Sequence, residues 1–242
     1  MPRTARFVLP HAAHHVVARG VHNTRLFRSG FDKSSYLKRF TLIAAQEHVT
    51  VHAYCLMDNH VHWLLSPASP TALARLFHRL HTWWAMRLNR QLKRHGHLFQ
   101  ARFFSTPLDD NHFWTAMRYV EVNPRRAGTA PRLQDWEFSS ARAHLDGSPD
   151  PLVELSLEAW RQRFGSAAWR DFLQETDREA DQRLQRSLAG CRPCGSDEWL
   201  RALEQKAHRR LAWSPPGRPA SRAVVPAPAN GACTAGHRPA AH

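Results

Sequence analysis

Acidic residues are in short supply: 20 Asp and Glu stand against 34 Lys and Arg, a formal net charge of +14 before any contribution from 17 histidines. That balance points to a polyanionic partner, most economically nucleic acid, because each cation brought to a phosphate releases condensed counterions. Long apolar runs are missing too. The opening Met1 to Pro10 holds none long enough for a signal peptide, and no stretch reaches membrane length, which predicts a soluble, cytoplasmic protein without a membrane partner. The four cysteines, Cys55, Cys191, Cys194 and Cys233, are too scattered for a disulfide framework. Cys191 and Cys194 form a Cys-x-x-Cys with no second Cys or His pair at zinc-finger spacing, so two loop thiols are favoured over a structural zinc. Tyrosine is scarcer still, with only Tyr36, Tyr54 and Tyr119 available for phenol chemistry.

Hydrophobic residues make up 43% and aromatics 10% of the 242 residues, enough to bury a real core in one large domain or in a domain of about 130 residues with an appendage. His14 to Arg19 reads as a first strand closed by Gly20 and a turn at His22-Asn23. A helix follows from Asp32, its N-cap, to His48, with Leu37, Phe40, Thr41 and Ala44 in one stripe. Val49 to Met57 and His60 to Ser66 read as antiparallel strands joined at Asp58-Asn59. A long helix then spans Thr71 to Arg94, with Leu73, Phe77, Leu80, Trp84 and Leu88 at helical spacing and many cations on its other faces. Leu98 to Thr106 is a predicted strand, and Asp109 to Val122 a helix stopped by Pro124 and Gly128. This order predicts an α+β fold: a ferredoxin-like antiparallel sheet with helices on one face, followed by a small helical region.

Within that scheme His60-Val61-His62-Trp63-Leu64-Leu65 carries the most chemistry. Alternate strand residues share a face, so His60, His62 and Leu64 point one way and Val61, Trp63 and Leu65 the other. Two neutral imidazoles at this spacing are able to hold one divalent cation if a further donor comes from elsewhere. The predicted helix ending in Arg118-Tyr119-Val120-Glu121-Val122-Asn123-Pro124 supplies candidates. Phe113, Met117 and Val120 define its apolar stripe, and Tyr119 lies roughly 100° or more off it. Asn123 shares the face of Tyr119 if the helix persists, as a possible oxygen ligand; preceding Pro124, it reads equally as a helix-ending cap.

Four segments in order resemble the single-tyrosine HUH transposases, and within them the transposase-like proteins associated with repetitive extragenic palindromes. They are Val17-Ala18-Arg19-Gly20, Met57-Asp58-Asn59-His60-Val61-His62, Gly96-His97-Leu98-Phe99-Gln100-Ala101-Arg102-Phe103, and Arg118-Tyr119 through Gly128. Phe99 stands where that pattern has tryptophan, and Thr129 interrupts its usual aliphatic run. The resemblance implies that His60 and His62 bind the metal with Asn123 as third ligand, that Tyr119 is the nucleophile, and that the substrate is hairpin-containing single-stranded DNA. It also implies a 5′-phosphotyrosine intermediate whose bond energy permits rejoining without ATP. The ion in use is expected to be Mg²⁺ or Mn²⁺, although imidazole ligation by itself suits Mn²⁺ or Zn²⁺ better.

A phenol with a pKa of about 10 needs such help, since a cation on a non-bridging phosphate oxygen offsets transition-state charge and orients the bond for attack. Arg19, Arg102, Arg118, Arg125 and Arg126 are the residues expected to track the phosphates, while Phe103, Phe104, Trp83 and Trp84 are placed either to stack on bases or in the core, the core being favoured for Trp84. Two other readings stay open: a non-catalytic DNA-binding protein of the same fold, and a metal-dependent phosphodiester hydrolase using activated water. The domain division is set at 1–130 for the catalytic domain, 131–213 for a helical region with helices over Leu155–Phe164, Ala167–Leu188 and Ser196–Leu211, and 214–242 for a disordered basic tail. Gly217-Arg218-Pro219 in that tail is a minimal minor-groove hook. Monomer and homodimer are both open.

Overall fold

The computed structural model describes residues 6–208, 210 and 211. The expected tail from Ser214, its Gly-Arg-Pro tripeptide and Cys233 lie outside the described residues. Four strands, β1 (His14–Arg19), β2 (Val49–Leu56), β3 (His60–Pro67) and β4 (Phe104–Pro107), form one sheet of order β2-β3-β1-β4 in which every pair is antiparallel. Helices α1 (Gly30–Gln46) and α2 (Ala72–Gln91) connect them. Strand, helix, two strands, helix, strand, with the first strand central, is the ferredoxin-like arrangement, so the expected fold class is what the chain adopts.

Both connecting helices lie on one face, against Val16, Ala18, Val61, Trp63 and Leu65. There Trp63 stacks on Phe40 with ring centroids 3.6 Å apart, and Trp84, fully buried, donates its indole N–H to the Leu26 carbonyl. The other face, which the strand pattern left uncovered, is closed by α3 (Asp110–Glu121) and by helices from the second half of the chain. These are α5 (Ala141–Asp146), α6 (Glu158–Arg163), α7 (Gly165–Phe172) and α8 (Arg178–Ala189); the short α4 (Asn123–Arg126) follows α3, and α9 (Asp197–Ala207) ends the described helices. Ala53, Cys55 and Leu64 from the sheet join Met117 and Val120 of α3, Trp160, Trp169 and Leu184 in this second core. β2 serves both cores through a bulge. Val51 pairs with Leu65 and Ala53 with Leu64, so His52 is supernumerary, and the face inward toward α1 passes from Val49 and Val51 to Tyr54 and Leu56.

Several boundaries differ from the sequence expectation for identifiable reasons. The N-cap of α1 is Ser29, whose hydroxyl accepts from the Asp32 N–H, while Asp32 sits in the first turn and its carboxylate accepts from the Arg28 N–H. β4 is only four residues long. Leu98–Gln100 does run beside β1 through a single bridge between Gly20 and Phe99, but the chain then leaves the sheet edge to bury Phe103 against Phe77. The helix expected over 167–188 is two helices, since Asp177 starts a fresh one by accepting from the Ala180 N–H. The segment before α6 covers the edge of β2, with the Ser156 N–H donating to the Val51 carbonyl.

Candidate active site

The register of β1 on β3 sets Val17 opposite His62 and Arg19 opposite His60, so these side chains share the sheet face covered by α3. His15, opposite Leu64, points to the same side. Its Nε2 lies 3.0 Å from Nδ1 of His62, and the two rings stack with centroids 5.3 Å apart. His60 and His62 are 5.0 Å apart ring to ring. Nδ1 of His60 sits 2.7 Å from the side-chain oxygen of Asn59. An amide oxygen only accepts, so this contact holds the proton on Nδ1 and leaves the Nε2 lone pair of His60 available.

Burial keeps all three imidazoles neutral. It draws His15 down to about 3; burial and then the neighbouring Arg19 draw His60 to about 4; burial, His15, His60 and Arg19 put His62 well below its ordinary value. Neutrality is what metal ligation requires of an imidazole. Among the described residues no group of three or more His, Cys, Asp or Glu is disposed to hold a metal ion. A cation held by His60 and His62 would need its remaining ligands from donors other than these residue types.

Helix α3 delivers Tyr119 to this face. Its N-terminus is fixed by Asp109, whose carboxylate accepts from the His112 N–H, and its inner side by Ala116, Met117 and Val120 in the second core. At its C-terminus Glu121 is fully buried and fully used: it accepts from the Ser140 hydroxyl at 2.6 Å, contacts Nδ1 of His144 at 2.5 Å, and accepts from the Trp169 indole N–H at 2.9 Å. This network ties α3 to α5 and α7. The Tyr119 ring, half-buried, meets the rings of His15 and His62 edge-on at 5.7 and 5.8 Å. Its hydroxyl accepts from Nε2 of Gln185 on α8 at 3.0 Å, and the Arg126 guanidinium lies 4.8 Å from its ring centroid.

The remaining candidates separate into two groups. Arg19 and Arg102 are exposed, and their side chains have no hydrogen-bond or acid partner among the described residues. Arg118 is buried, 3.6 Å from Glu175 and 3.8 Å from Asp181; Arg126 also pairs with Asp181, and Arg125 donates to the Leu173 carbonyl and the Gln174 side chain. Asn123 opens α4, and its amide N–H donates to the Tyr119 carbonyl at 2.7 Å, a capping role that engages the nitrogen and not the oxygen. Trp84 and Phe103 are core residues, whereas Phe104 and Trp83 are half-buried. Cys191 and Cys194 are free thiols, and Cys194 hydrogen-bonds His112.

Sequence reasoning missed His15, Gln185 and Glu121. The alternation His15, Val17, Arg19 along β1 was a usable signal for the first, once the strand is placed beside β3. Gln185 and the partners of Glu121 come from distant helices and left no local mark.

Residues 9–123, which include His60, His62, Tyr119 and Asn123, match the family model described as "Transposase IS200 like". The resemblance drawn from the four sequence segments agrees with that match. Among solved structures, the chain is similar in fold to the REP-associated tyrosine transposase bound to a REP hairpin, with a TM-score of 0.51 and 12% identity over 60% of this chain and 86% of that one. A Deinococcus radiodurans R1 protein described as a transposase is 18% identical over 50% of this chain and 96% of its own, with a TM-score of 0.33. No curated protein matches the chain. No helix among the described residues is long and apolar enough to cross a membrane.

Proposed function

We propose that this protein cleaves and rejoins single-stranded DNA, using Tyr119 as nucleophile beside a divalent cation, Mg²⁺ or Mn²⁺, held by His60 and His62. One observation carries the reading: the only tyrosine that is not fully buried lies with its ring against His62, on the face that His60 shares. Tyr36 and Tyr54 are fully buried, with burial pushing both phenols well up, so neither is suited to attack.

The donor set fits a cation. Both imidazoles are neutral, and each has a hydrogen-bond partner on Nδ1, Asn59 for His60 and His15 for His62, as ligating histidines ordinarily do. In the tautomer that donates from Nδ1 to His15, His62 presents Nε2 as its ligand atom. The Asn123 oxygen, which its capping contact leaves unused, is the candidate third donor. When bound, the ion supplies charge neutralisation on a non-bridging phosphate oxygen.

The protein's own residues do the rest. Gln185 holds the Tyr119 hydroxyl in place. The phenol oxygen forms a bond to phosphorus as the bond from phosphorus to the 3′ oxygen breaks, leaving a 5′-phosphotyrosine and a 3′-hydroxyl; attack by a 3′-hydroxyl on that linkage reverses the step. Arg19 and Arg102, exposed cations whose side chains have no partner among the described residues, contact the backbone first.

Denaturing electrophoresis with end-labelled hairpin-bearing single strands, with and without Mn²⁺, tests this. A metal-dependent covalent adduct that disappears in Tyr119→Phe is expected. Tight, salt-sensitive binding without adduct under any divalent ion means a binding protein, and free ends without adduct mean a hydrolase.

A further inference from the structure

Loop 96–103 and helix α2 enclose a cavity of about 690 Å³ on the sheet face opposite Tyr119, within the range of ligand sites. None of the residues lining it is acidic. Its walls combine flat rings and cations. Phe99 lies parallel on His81, with ring centroids 3.9 Å apart and 20° between planes, and Phe103 closes the floor. Arg102, His78 and His97 are exposed around it. Arg102 has no partner among the described residues, a cation offered outward.

The position of the cavity gives this composition its meaning. The Gln100 N–H donates to the Arg19 carbonyl at 2.9 Å, and Arg19 pairs in register with His60. The loop that forms the wall is therefore attached to the end of the sheet that bears His60, so a strand whose phosphate lies beside His60 needs only to pass the sheet edge to reach Phe99. Neither the metal nor Tyr119 makes use of this cavity.

We propose that the cavity is a second nucleic-acid site, which takes an unstacked base of single-stranded DNA on Phe99 and the adjoining phosphate on Arg102. The inference rests on the strand-transfer reading only for the identity of the strand. A stack of two parallel rings is extended by any nucleobase, since every base has a π face, and the cationic rim retains its phosphate. An acid-free rim excludes a cationic ligand, and a site joined to the His60 end of the sheet favours a nucleotide within a strand over a free one.

The test uses the full chain carrying Tyr119→Phe, so that the DNA stays intact, and hairpin oligonucleotides with 5-iododeoxyuridine at one unpaired position at a time. Irradiation and peptide mapping are expected to place the cross-link on Phe99, Phe103 or His81 for one or two neighbouring positions. Phe99→Ala should weaken binding roughly 5- to 100-fold and lose that cross-link, and Phe99→Trp should restore both. Arg102→Ala, a surface change that cannot disturb folding through the core, should lower the slope of log affinity against log salt by about 0.7. Cross-links confined to peptides outside the cavity, an unchanged salt slope in Arg102→Ala, or cross-links abolished by excess free thymidine monophosphate would each overturn the assignment. Adduct formation on Tyr119, measured separately in the parent chain, decides the strand-transfer reading independently: cross-links in the cavity without any adduct uphold this site and sink that reading.

Discussion

The two faces of the sheet are built from the same four strands and serve opposite ends. Toward α1 and α2 the filling is almost wholly apolar, with Trp63 sandwiched by Phe40 and Tyr54, and Trp84 and Tyr36 behind them. Toward α3 the apolar filling is interrupted by His15, His62, Glu121, His144 and Asp181, all buried. Burying a polar group costs free energy unless its hydrogen bonds are remade, so the second face is stable only while its partners stay in place. The first face tolerates adjustment because dispersion and area burial are non-directional. The contrast teaches that this fold keeps adjustable apolar packing on one side of the sheet and a directional buried polar network on the other.

Mutations separate the two. Tyr119→Phe should abolish the covalent adduct altogether while leaving the thermal midpoint close to the parent's, because the lost hydroxyl contacts only the exposed Gln185. His15→Ala, which removes the hydrogen-bond partner of His62, an imidazole proposed to hold the ion, should cost about 10- to 100-fold in Mn²⁺ affinity or in adduct rate, read by titrating the ion. Glu121→Ala strands His144, Ser140 and Trp169 in the interior and should destabilise by about 3–5 kcal/mol in urea unfolding. On the apolar face, Ile43→Val should cost only about 0.5–1.5 kcal/mol and leave the adduct per folded molecule unchanged; a selective loss of adduct there would break the comparison.

A subtler prediction concerns His112 at the start of α3. The Asp109 carboxylate at 2.6 Å, together with Cys194, raises its pKa from 6.5 to about 9. Burial pushes Asp109 upward, yet the hydrogen bonds from His112 and Ser196 hold its carboxyl below the ordinary value. Because the imidazolium form is favoured by folding, its contribution is complete below about pH 6.5 and is lost as pH rises through about 9. The thermal midpoint should decline over that window in the parent and lose this component in His112→Asn.

Much of this was legible in the sequence. Strand parity assigned His60, His62 and Leu64 to one side and Val61, Trp63 and Leu65 to the other, and the periodicity of α2 correctly named Leu73, Phe77, Leu80, Trp84 and Leu88 as buried. Ser196 as N-cap of α9 was also readable, since a cap is a local bond to the Trp199 N–H. The partners of Glu121 were not, because His144 and Trp169 lie 23 and 48 residues away and only packing brings them together. The fate of the cations was equally hidden. Nothing in Arg118, Arg125 or Arg126 announces that acids and carbonyls of later helices hold them, while Arg19 and Arg102 stay open to solvent.

His52, the residue left over in β2, gives that strand a slack that its neighbour lacks. Its imidazole reaches Ser66 at 2.8 Å and the ring of Phe113 at 5.2 Å, but it occupies no rung of the ladder. Deleting it would leave Val51 and Ala53 still pointing to opposite sides, and every later residue of the strand in its present layer. Deleting Val61 from β3, where every residue is counted, would turn His60 and His62 back to back. The molecule can thus forgive a missing codon on one rail of its sheet and not on the other.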